Sequence, residues 1–302
     1  MHTLRAQPSP ADLASSTWLE VGEETEWWVR SGVAPDITLC SSFQPIFSLR
    51  SGNVAGTEAL LRAYLNDGAQ ISPPAMFAQR SMDEAVSLDQ RCHRTHLHNA
   101  ASVLCSGEQL FLNFRPETLL VAGYASELVQ TVKRASLAPG QVVIEVVEAG
   151  GSLHQLADAV VEFRNSGFQI ALDDFGVGLS NIDRLVQLQP DVVKLDRSLL
   201  TFAMRNSRAA AVFLKLVALL REAGSAVVVE GVETQADLDF AAMVEADMVQ
   251  GFYLARPASL RMPYGHASTV IDNVWFVARS FRRARRRNME ESKIVRDGAA
   301  CQ

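Results

Sequence analysis

The sequence predicts an α/β fold, an irregular (β/α)8 TIM-like barrel whose first strand is antiparallel to its neighbours. Three observations predict it. The chain has 302 residues, 48% of them hydrophobic, which is enough to bury a large core. From residue 38 onward, short apolar runs alternate with stretches of helical periodicity, as in βα units around a parallel sheet. About eight such runs occur, which is the number of strands in this type of barrel.

The predicted strands are short runs rich in Val, Ile, Leu and Phe. They lie near residues 39–47, 54–60, 110–114, 142–147, 169–174, 192–196, 226–231 and 248–254. Only SLRSGN separates the first two runs, and its Ser-Gly-Asn is typical of a hairpin turn, so this strand pair is expected to be antiparallel. Apolar residues at three- and four-residue spacing predict helices over 81–104, 152–166, 209–223 and 235–244.

The barrel is expected to span residues 37–262, with short helical extensions at both ends. Residues 1–36 form an acidic arm that contains Trp18, Trp27 and Trp28. Residues 263–302 form a basic helix and tail, with six arginines between Arg279 and Arg287. The favoured interpretation of the tail is a solvated helix packed by its aromatic face, with the acidic arm as one surface it could pack against. Contact with nucleic acid or an anionic membrane is the alternative.

Composition indicates a cytoplasmic protein. The four cysteines, at positions 40, 92, 105 and 301, form no CxxC pair, which is typical of reduced thiols. The first ten residues contain no apolar signal region, and the longest apolar stretch is interrupted by Lys215 and too short to span a membrane. The net charge of −6 argues against a surface that coats nucleic acid.

A polar residue lies near the end of almost every predicted strand. These residues are Glu58, Asn113, Glu145, Asp173, Asp174, Lys194, Glu230 and Gln250. A single one of them is more often a helix cap or an ion-paired carboxylate. In a barrel, however, the carboxyl ends of the parallel strands meet at one mouth, so all eight are expected to converge there.

Five of the converging residues are carboxylates, and they would repel one another strongly unless cations were present. Two divalent ions together with Lys194 would supply about five positive charges against about five negative ones. Carboxylate and amide ligands favour Mg²⁺ or Mn²⁺ over zinc. The pattern therefore predicts a site for two hard metal ions.

A second possible metal site lies in the run RCHRTHLHNA. Cys92 and His96 have the i, i+4 spacing of a helical metal pair. Two ligands on one helix do not complete a tetrahedral site, and the sequence offers no partner motif. A partly exposed helix is the favoured interpretation.

The ordered motifs resemble the bacterial EAL domains, which are cyclic di-GMP phosphodiesterases. The resemblance rests on FQPIFSLRSGNVAGTEALLRA, which contains the signature Glu58-Ala59-Leu60, and on FLNFRP, IEVVE, ALDDFGVGLSN, VVKLDRS, VVVEGVET and VQGFYLARP. These segments follow the family's order from about Phe43 to Pro257.

The resemblance implies hydrolysis of one phosphodiester of cyclic di-GMP to linear pGpG, with two Mg²⁺ or Mn²⁺ ions and with Ca²⁺ as an inhibitor. It implies metal ligands at Glu58, Asn113, Glu145, Asp173, Asp174 and Glu230, of which Asp173 would bridge both ions. Catalytic roles fall on Lys194, Glu230, Gln250 and Glu58: Lys194, with Gln250 beside it, orients and deprotonates the attacking water, or Glu230 is the base. Substrate contacts fall on Gln44, Leu60, Arg62 and Gln250, and loop anchors on Glu148 and Glu233.

The resemblance further implies a homodimer, and a regulatory protein partner is possible. The chain departs from the family pattern at Val147, Val177, Leu179 and Arg115, of which Arg115 stands where serine is usual. No predicted metal ligand is lost. These departures bear on turnover rate and on behaviour of the loop. The alternatives from other classes are a non-catalytic cyclic di-GMP receptor that signals through its terminal helices and a scaffold for protein interaction.

Overall fold

The computed structural model describes residues 28–31, 34–78, 80–146, 152–177 and 181–259. The predicted basic helix and tail lie outside the described residues, as does most of the acidic arm. The described end of that arm is the strand β1 (Trp28–Ser31), which pairs antiparallel with the next strand rather than forming a helix.

The strands after β1 are β2 (Ala34–Ser48), β3 (Val54–Leu65), β4 (Gln70–Ile71), β5 (Gln109–Phe114), β6 (Val142–Val146), β7 (Gln169–Phe175), β8 (Val192–Leu195), β9 (Ala226–Val229) and β10 (Met248–Val249). The helices are α1 (Pro73–Phe77), α2 (Met82–Ala100), α3 (Pro116–Leu119), α4 (Tyr124–Arg134), α5 (Leu153–Asn165), α6 (Asn181–Leu188), α7 (Arg197–Arg205), α8 (Ser207–Glu222) and α9 (Gln235–Met243).

Eight strands close into a barrel, as predicted. Strands β3 and β5 to β10 pair in parallel in chain order, and β2 closes the ring because it pairs antiparallel with both β3 and β10. The β2–β3 turn falls where SLRSGN predicts it, and the backbone N–H of Ser48 donates to the carbonyl of Asn53. Both strands of this hairpin continue beyond the barrel, where β1 and β4 add to them.

The four predicted helices are present as α2, α5, α8 and α9. Capping boxes fix two of their starts, with Ser81 and Glu84 at α2 and Thr234 and Asp237 at α9, and the side chain of Asn206 caps a third at α8. The remaining helices, α1, α3, α4, α6 and α7, were not predicted. None of the helices among the described residues is both long enough and apolar enough to cross a membrane.

An apolar layer fills one half of the barrel interior. It consists of Ile46, Phe111, Val143, Ala171, Val192, Val228 and Met248. Each of these residues is two positions away from a polar residue of the predicted site, so both sets face inward on the same strands. Gly56 leaves space for this layer, because a Cβ atom there would lie 2.7 Å from the Phe111 ring. The polar residues therefore form a second layer on top of an apolar one.

Candidate active site

The polar layer assembles at the carboxyl ends of the parallel strands. It contains Glu58 on β3, Asn113 on β5, Glu145 on β6, Asp173 and Asp174 on β7, Lys194 on β8, Glu230 after β9 and Gln250 after β10. All eight residues predicted to converge lie at this end of the barrel.

Lys194 occupies the centre of the layer, with a side chain that is 1% exposed. Its Nζ lies 2.7 Å from Glu145 Oε1, 2.9 Å from Glu230 Oε1, 3.1 Å from Asp173 Oδ1 and 3.3 Å from Glu58 Oε2. Burial alone would lower the pKa of Lys194, but these carboxylates raise it well above its usual value. The ammonium group is therefore held protonated.

The carboxylates are more numerous than one ammonium group can neutralise. Burial raises the pKa of Glu145 well above its usual value, and Glu58 and Asp173 add to the shift. Burial also raises the pKa of Glu230 to about 8, against the opposing effect of Lys194. The protein alone therefore does not stabilise every carboxylate in its charged form, and the layer has a deficit of positive charge.

Two amides orient Glu58. Asn113 Nδ2 donates to Glu58 Oε1 at 3.0 Å, and Gln250 Nε2 donates to Glu58 Oε2 at 2.8 Å. Burial would raise the pKa of Glu58, but Lys194 and these two amides lower it. Because each amide group donates an N–H to Glu58, the carbonyl oxygen of the same amide remains available to a cation.

The two aspartates of β7 face different surroundings. Asp174 has a φ of 52°, in the left-handed region that non-glycine residues seldom adopt, so the strand turns sharply at this point. Burial raises the pKa of Asp174 to about 6, with further contributions from Asp173 and Asp196. Oxygens of Asp173, Asp174 and Glu230 lie within 4.8 Å of one another, which brings three potential ligands to one point.

The donor set fits hard divalent cations. Every candidate ligand offers an oxygen, which suits Mg²⁺ and Mn²⁺. Glu145 Oε2 and Gln250 Oε1 are buried, and neither has a hydrogen-bond partner among the described residues. Buried oxygens without donors are costly unless something positive faces them.

The sequence model of the EAL domain matches residues 36–257, which is well over half of the chain. The chain belongs to the EAL domain family. The matched segment begins in β2 and ends after β10, so it covers the closed barrel.

The EAL domain is similar to several named proteins. The cyclic di-GMP phosphodiesterase RocR of Pseudomonas aeruginosa is 27% identical over 230 residues, which cover 74% of this chain and 57% of RocR. MucR of the same organism, a bifunctional diguanylate cyclase and cyclic di-GMP phosphodiesterase, is 28% identical over 226 residues, covering 71% of this chain and 32% of MucR. The chain therefore covers less than two thirds of either relative.

A solved structure shows the same architecture. Klebsiella pneumoniae BlrP1, in complex with manganese and cyclic di-GMP, superposes on the EAL domain with a TM-score of 0.67. The two are 27% identical, and the match covers 76% of this chain and 58% of that one.

Three of the four predicted substrate contacts of the EAL domain lie on its first two barrel strands, and the fourth, Gln250, follows β10. Gln44 on β2 is opposite Glu58 in the strand register, and its Nε2 donates to the carbonyl of Ala255 at 3.2 Å. Leu60 and Arg62 follow Glu58 at two-residue steps along β3, so they share its face of the strand. Arg62 Nη1 donates to the carbonyl of Leu61 at 2.9 Å.

Of the two predicted loop anchors, the structure describes Glu233. Glu233 forms a two-point ion pair with the guanidinium of Arg197 at the start of α7. Gly231, with a φ of 66°, permits this arrangement, because a Cβ atom there would collide with the Arg197 side chain. Glu148 lies outside the described residues.

Of the four residues that depart from the family pattern, the structure describes Val177 and Arg115. Val177 is 64% exposed, and Arg115 places its guanidinium 4.8 Å from the centroid of the Phe77 ring and its Nη2 3.4 Å from Glu117. Val147 and Leu179 lie outside the described residues.

The histidine-rich run forms part of α2 and packs against the barrel. Helix α2 is partly exposed, as predicted, but Cys92, His93 and His96 are all buried against the barrel. His96 Nδ1 hydrogen bonds to Ser41 Oγ at 2.8 Å, so this nitrogen is occupied within the protein. Burial lowers the pKa of His96 to about 3 and also lowers the pKa of His93. Sequence reasoning missed these contacts, although the i, i+3 and i+4 spacing of the polar residues was visible.

Proposed function

We propose that this EAL domain hydrolyses one phosphodiester bond of cyclic di-GMP to give linear pGpG, using two divalent ions, Mg²⁺ or Mn²⁺. The observation that supports the proposal most is the complete set of oxygen ligands gathered around Lys194, including buried oxygens without donors. The similarity to RocR and BlrP1 supports cyclic di-GMP as the substrate.

The ligands divide into two groups. Glu58, Asn113, Glu145 and Asp173 would hold the first ion, and Asp173, Asp174 and Glu230 the second. When bound, such a pair of ions activates water and stabilises the attacking and leaving oxygens of a phosphodiester. Asp173 would belong to both groups.

Lys194 would orient the attacking water and offset charge. Its ammonium group carries N–H donors but no lone pair while it is protonated, so it cannot accept a proton from water. Glu230 Oε1 lies 2.9 Å from Lys194 Nζ and is the better candidate for the proton acceptor. Gln250 and Asn113 keep Glu58 in place from both sides.

Substrate would be held outside the metal layer. Arg62 lies four residues beyond Glu58 on β3, so its planar guanidinium could reach a phosphate of a nucleotide bound at the barrel mouth. Gln44 would meet the same ligand from the adjacent strand β2.

The test is incubation of the purified protein with cyclic di-GMP, followed by chromatographic separation of the products. We expect pGpG to accumulate with Mg²⁺ or Mn²⁺ and not with Ca²⁺ or EDTA. Binding of cyclic di-GMP without any product in Mg²⁺ or Mn²⁺ would contradict the proposal and favour the receptor alternative.

A further inference from the structure

One face of α2 carries four polar residues that point into the barrel wall. They are Asp89, His93, His96 and Asn99, spaced by four, three and three residues, which places them on one side of the helix. Asp89, His93 and His96 are 5%, 1% and 4% exposed. Polar groups buried this deeply are hydrogen bonded in native proteins, so their partners show what the face does.

Two of these residues hold the end of β5. His93 Nε2 lies 3.0 Å from the carbonyl oxygen of Asn113, and Asp89 Oδ2 accepts from the backbone N–H of Arg115 at 3.1 Å. The pairing of β3 with β5 ends at Ala59 and Leu112, one residue before Asn113. Helix α2 therefore holds the strand terminus where the ladder to β3 ends.

The contacts of the ring determine the orientation of His93. A carbonyl oxygen can only accept, so Nε2 carries the hydrogen and donates it to Asn113. Nδ1 then accepts from the hydroxyl of Tyr124 on α4, at 2.9 Å. The ring also stacks on Phe114, with centroids 3.8 Å apart. Both nitrogens and one face of the ring are thus engaged.

We propose that His93, oriented by Tyr124 and Phe114, is a positioning residue that fixes the end of β5 so that Asn113 presents its amide oxygen to the metal ions. The inference rests on the proposed metal site. Asn113 is held from behind at its carbonyl oxygen by His93 and from the front at Nδ2 by Glu58. With both contacts made, Oδ1 is the atom of this side chain that would meet the ions. Residues that orient ligands in this way affect metal affinity by about 10- to 100-fold.

The test compares two double variants of the full chain. His93→Phe with Tyr124→Phe keeps the ring against Phe114 and removes both hydrogen-bonding ends together, so no buried hydroxyl loses its partner. The matched control is His96→Phe with Ser41→Ala, which removes a buried hydrogen bond between α2 and β2 instead of one between α2 and β5. Asn99, which also donates to Ser41 Oγ at 3.0 Å, is only partly buried and can turn to water. Thermal unfolding, Mn²⁺ affinity by calorimetry, and kcat and KM for cyclic di-GMP are measured for each.

We expect the double variant His93→Phe with Tyr124→Phe to bind Mn²⁺ about tenfold or more weakly than wild type. Its kcat should fall by a similar factor, and its KM should stay within about threefold of the wild-type value. The control should keep both values within about twofold. His93→Gln, which retains a donor near the Nε2 position, should recover most of the Mn²⁺ affinity. If the double variant does not fold, His93→Gln is compared instead with Tyr124→Phe, which leaves the His93 ring without its orienting partner and should bind Mn²⁺ more weakly than His93→Gln. Equal Mn²⁺ affinities in these two single variants would contradict the inference.

If the double variant at His93 and Tyr124 folds and binds Mn²⁺ as tightly as wild type, the inference is overturned. An equal loss of Mn²⁺ affinity in the control variant would also overturn it. Failure of the proposed function looks different. If wild-type protein binds Mn²⁺ but does not hydrolyse cyclic di-GMP, the proposed activity is wrong, while the Mn²⁺ affinities of the variants still decide the role of His93. If wild-type protein binds no Mn²⁺, both proposals fall.

Discussion

Two layers of side chains fill the barrel, and they lie only two residues apart on the same strands. The lower layer is apolar and almost fully buried, with Phe111, Val143 and Ala171 at 0% exposure. The upper layer is as deeply buried at Glu145 and Lys194 but is charged. Burial of the apolar layer stabilises the fold, whereas burial of the charged layer costs free energy, because the protein only partly neutralises the charges that it removes from water. The barrel therefore separates stability from chemistry along the strand axis.

The largest expected effect is the loss of a lower-layer ring. Phe111→Ala should lower the free energy of unfolding by about 3–5 kcal/mol, because it removes a fully buried phenyl group and leaves a cavity. Urea denaturation measures this change. The matched control is Phe202→Ala at a position that is 63% exposed, which should change the stability by less than about 0.5 kcal/mol. A loss below about 1 kcal/mol at Phe111 would mean that the lower layer is not the stabilising one.

Loss of the bridging carboxylate should have the opposite profile. Asp173→Asn should lower turnover at least ~100-fold, roughly 2.7 kcal/mol of barrier, because it weakens the attraction for both ions. The folded state should remain intact, since the layer already has excess negative charge. Asp158→Asn, at a carboxylate that is 73% exposed on α5, should leave turnover unchanged. Near-normal turnover of Asp173→Asn in Mg²⁺ would contradict the assignment.

Gly56 provides a smaller test of how tightly the layers are packed. Gly56→Ala places a Cβ atom 2.7 Å from the Phe111 ring and 2.8 Å from the carbonyl oxygen of Gln109. Overpacking of this kind should lower the free energy of unfolding by about 1–3 kcal/mol. Gly140→Ala has only one neighbouring atom, at 3.8 Å, and should be close to neutral. Equal midpoints in thermal unfolding for the two variants would show that the interior yields more easily than the distances indicate.

The smallest expected effect is a pH dependence that belongs to the upper layer alone. Burial raises the pKa of Glu230 to about 8 in the metal-free fold, whereas the unfolded chain ionises this group near its usual value. Between pH 7 and 8 the folded state therefore binds more protons than the unfolded state, so stability falls as pH rises, by on the order of 1 kcal/mol. Melting temperatures of metal-free protein across this range measure the fall.

Two controls assign that slope. Glu230→Gln should reduce it, because one of the titrating groups of the layer is gone. Saturating Mn²⁺ should also remove it, because a bound cation displaces the proton and stabilises the carboxylate. A slope that persists in both samples would place the titrating group elsewhere in the chain.

Sequence alone predicted the upper layer well, for a local reason. Strand alternation and parallel direction place Glu145 and Lys194 at the same mouth whatever the details of packing, and SLRSGN predicts the antiparallel pairing of β2 with β3. The individual pairings within the layer, such as Gln250 with Glu58, span 192 residues and depend on barrel closure.

Contacts between the helices and the barrel could not be predicted from the sequence. The spacing of Asp89 and His93 shows that they share a face of α2, but nothing local shows that the face meets the end of β5. The ring of His93 contacts Tyr124, which lies 31 residues away on a helix that the sequence did not predict. The same holds for the pairing of Arg197 with Glu233, which joins two separate βα units.

The claim that the upper layer is a two-ion site is tested most directly by calorimetric titration of metal-free protein with Mn²⁺ at neutral pH. The oxygen ligands around Lys194 predict two ions per chain in the wild-type protein and a marked loss of affinity at both positions in Asp173→Asn. One ion per chain, or two ions that bind Asp173→Asn as tightly as wild type, would contradict it.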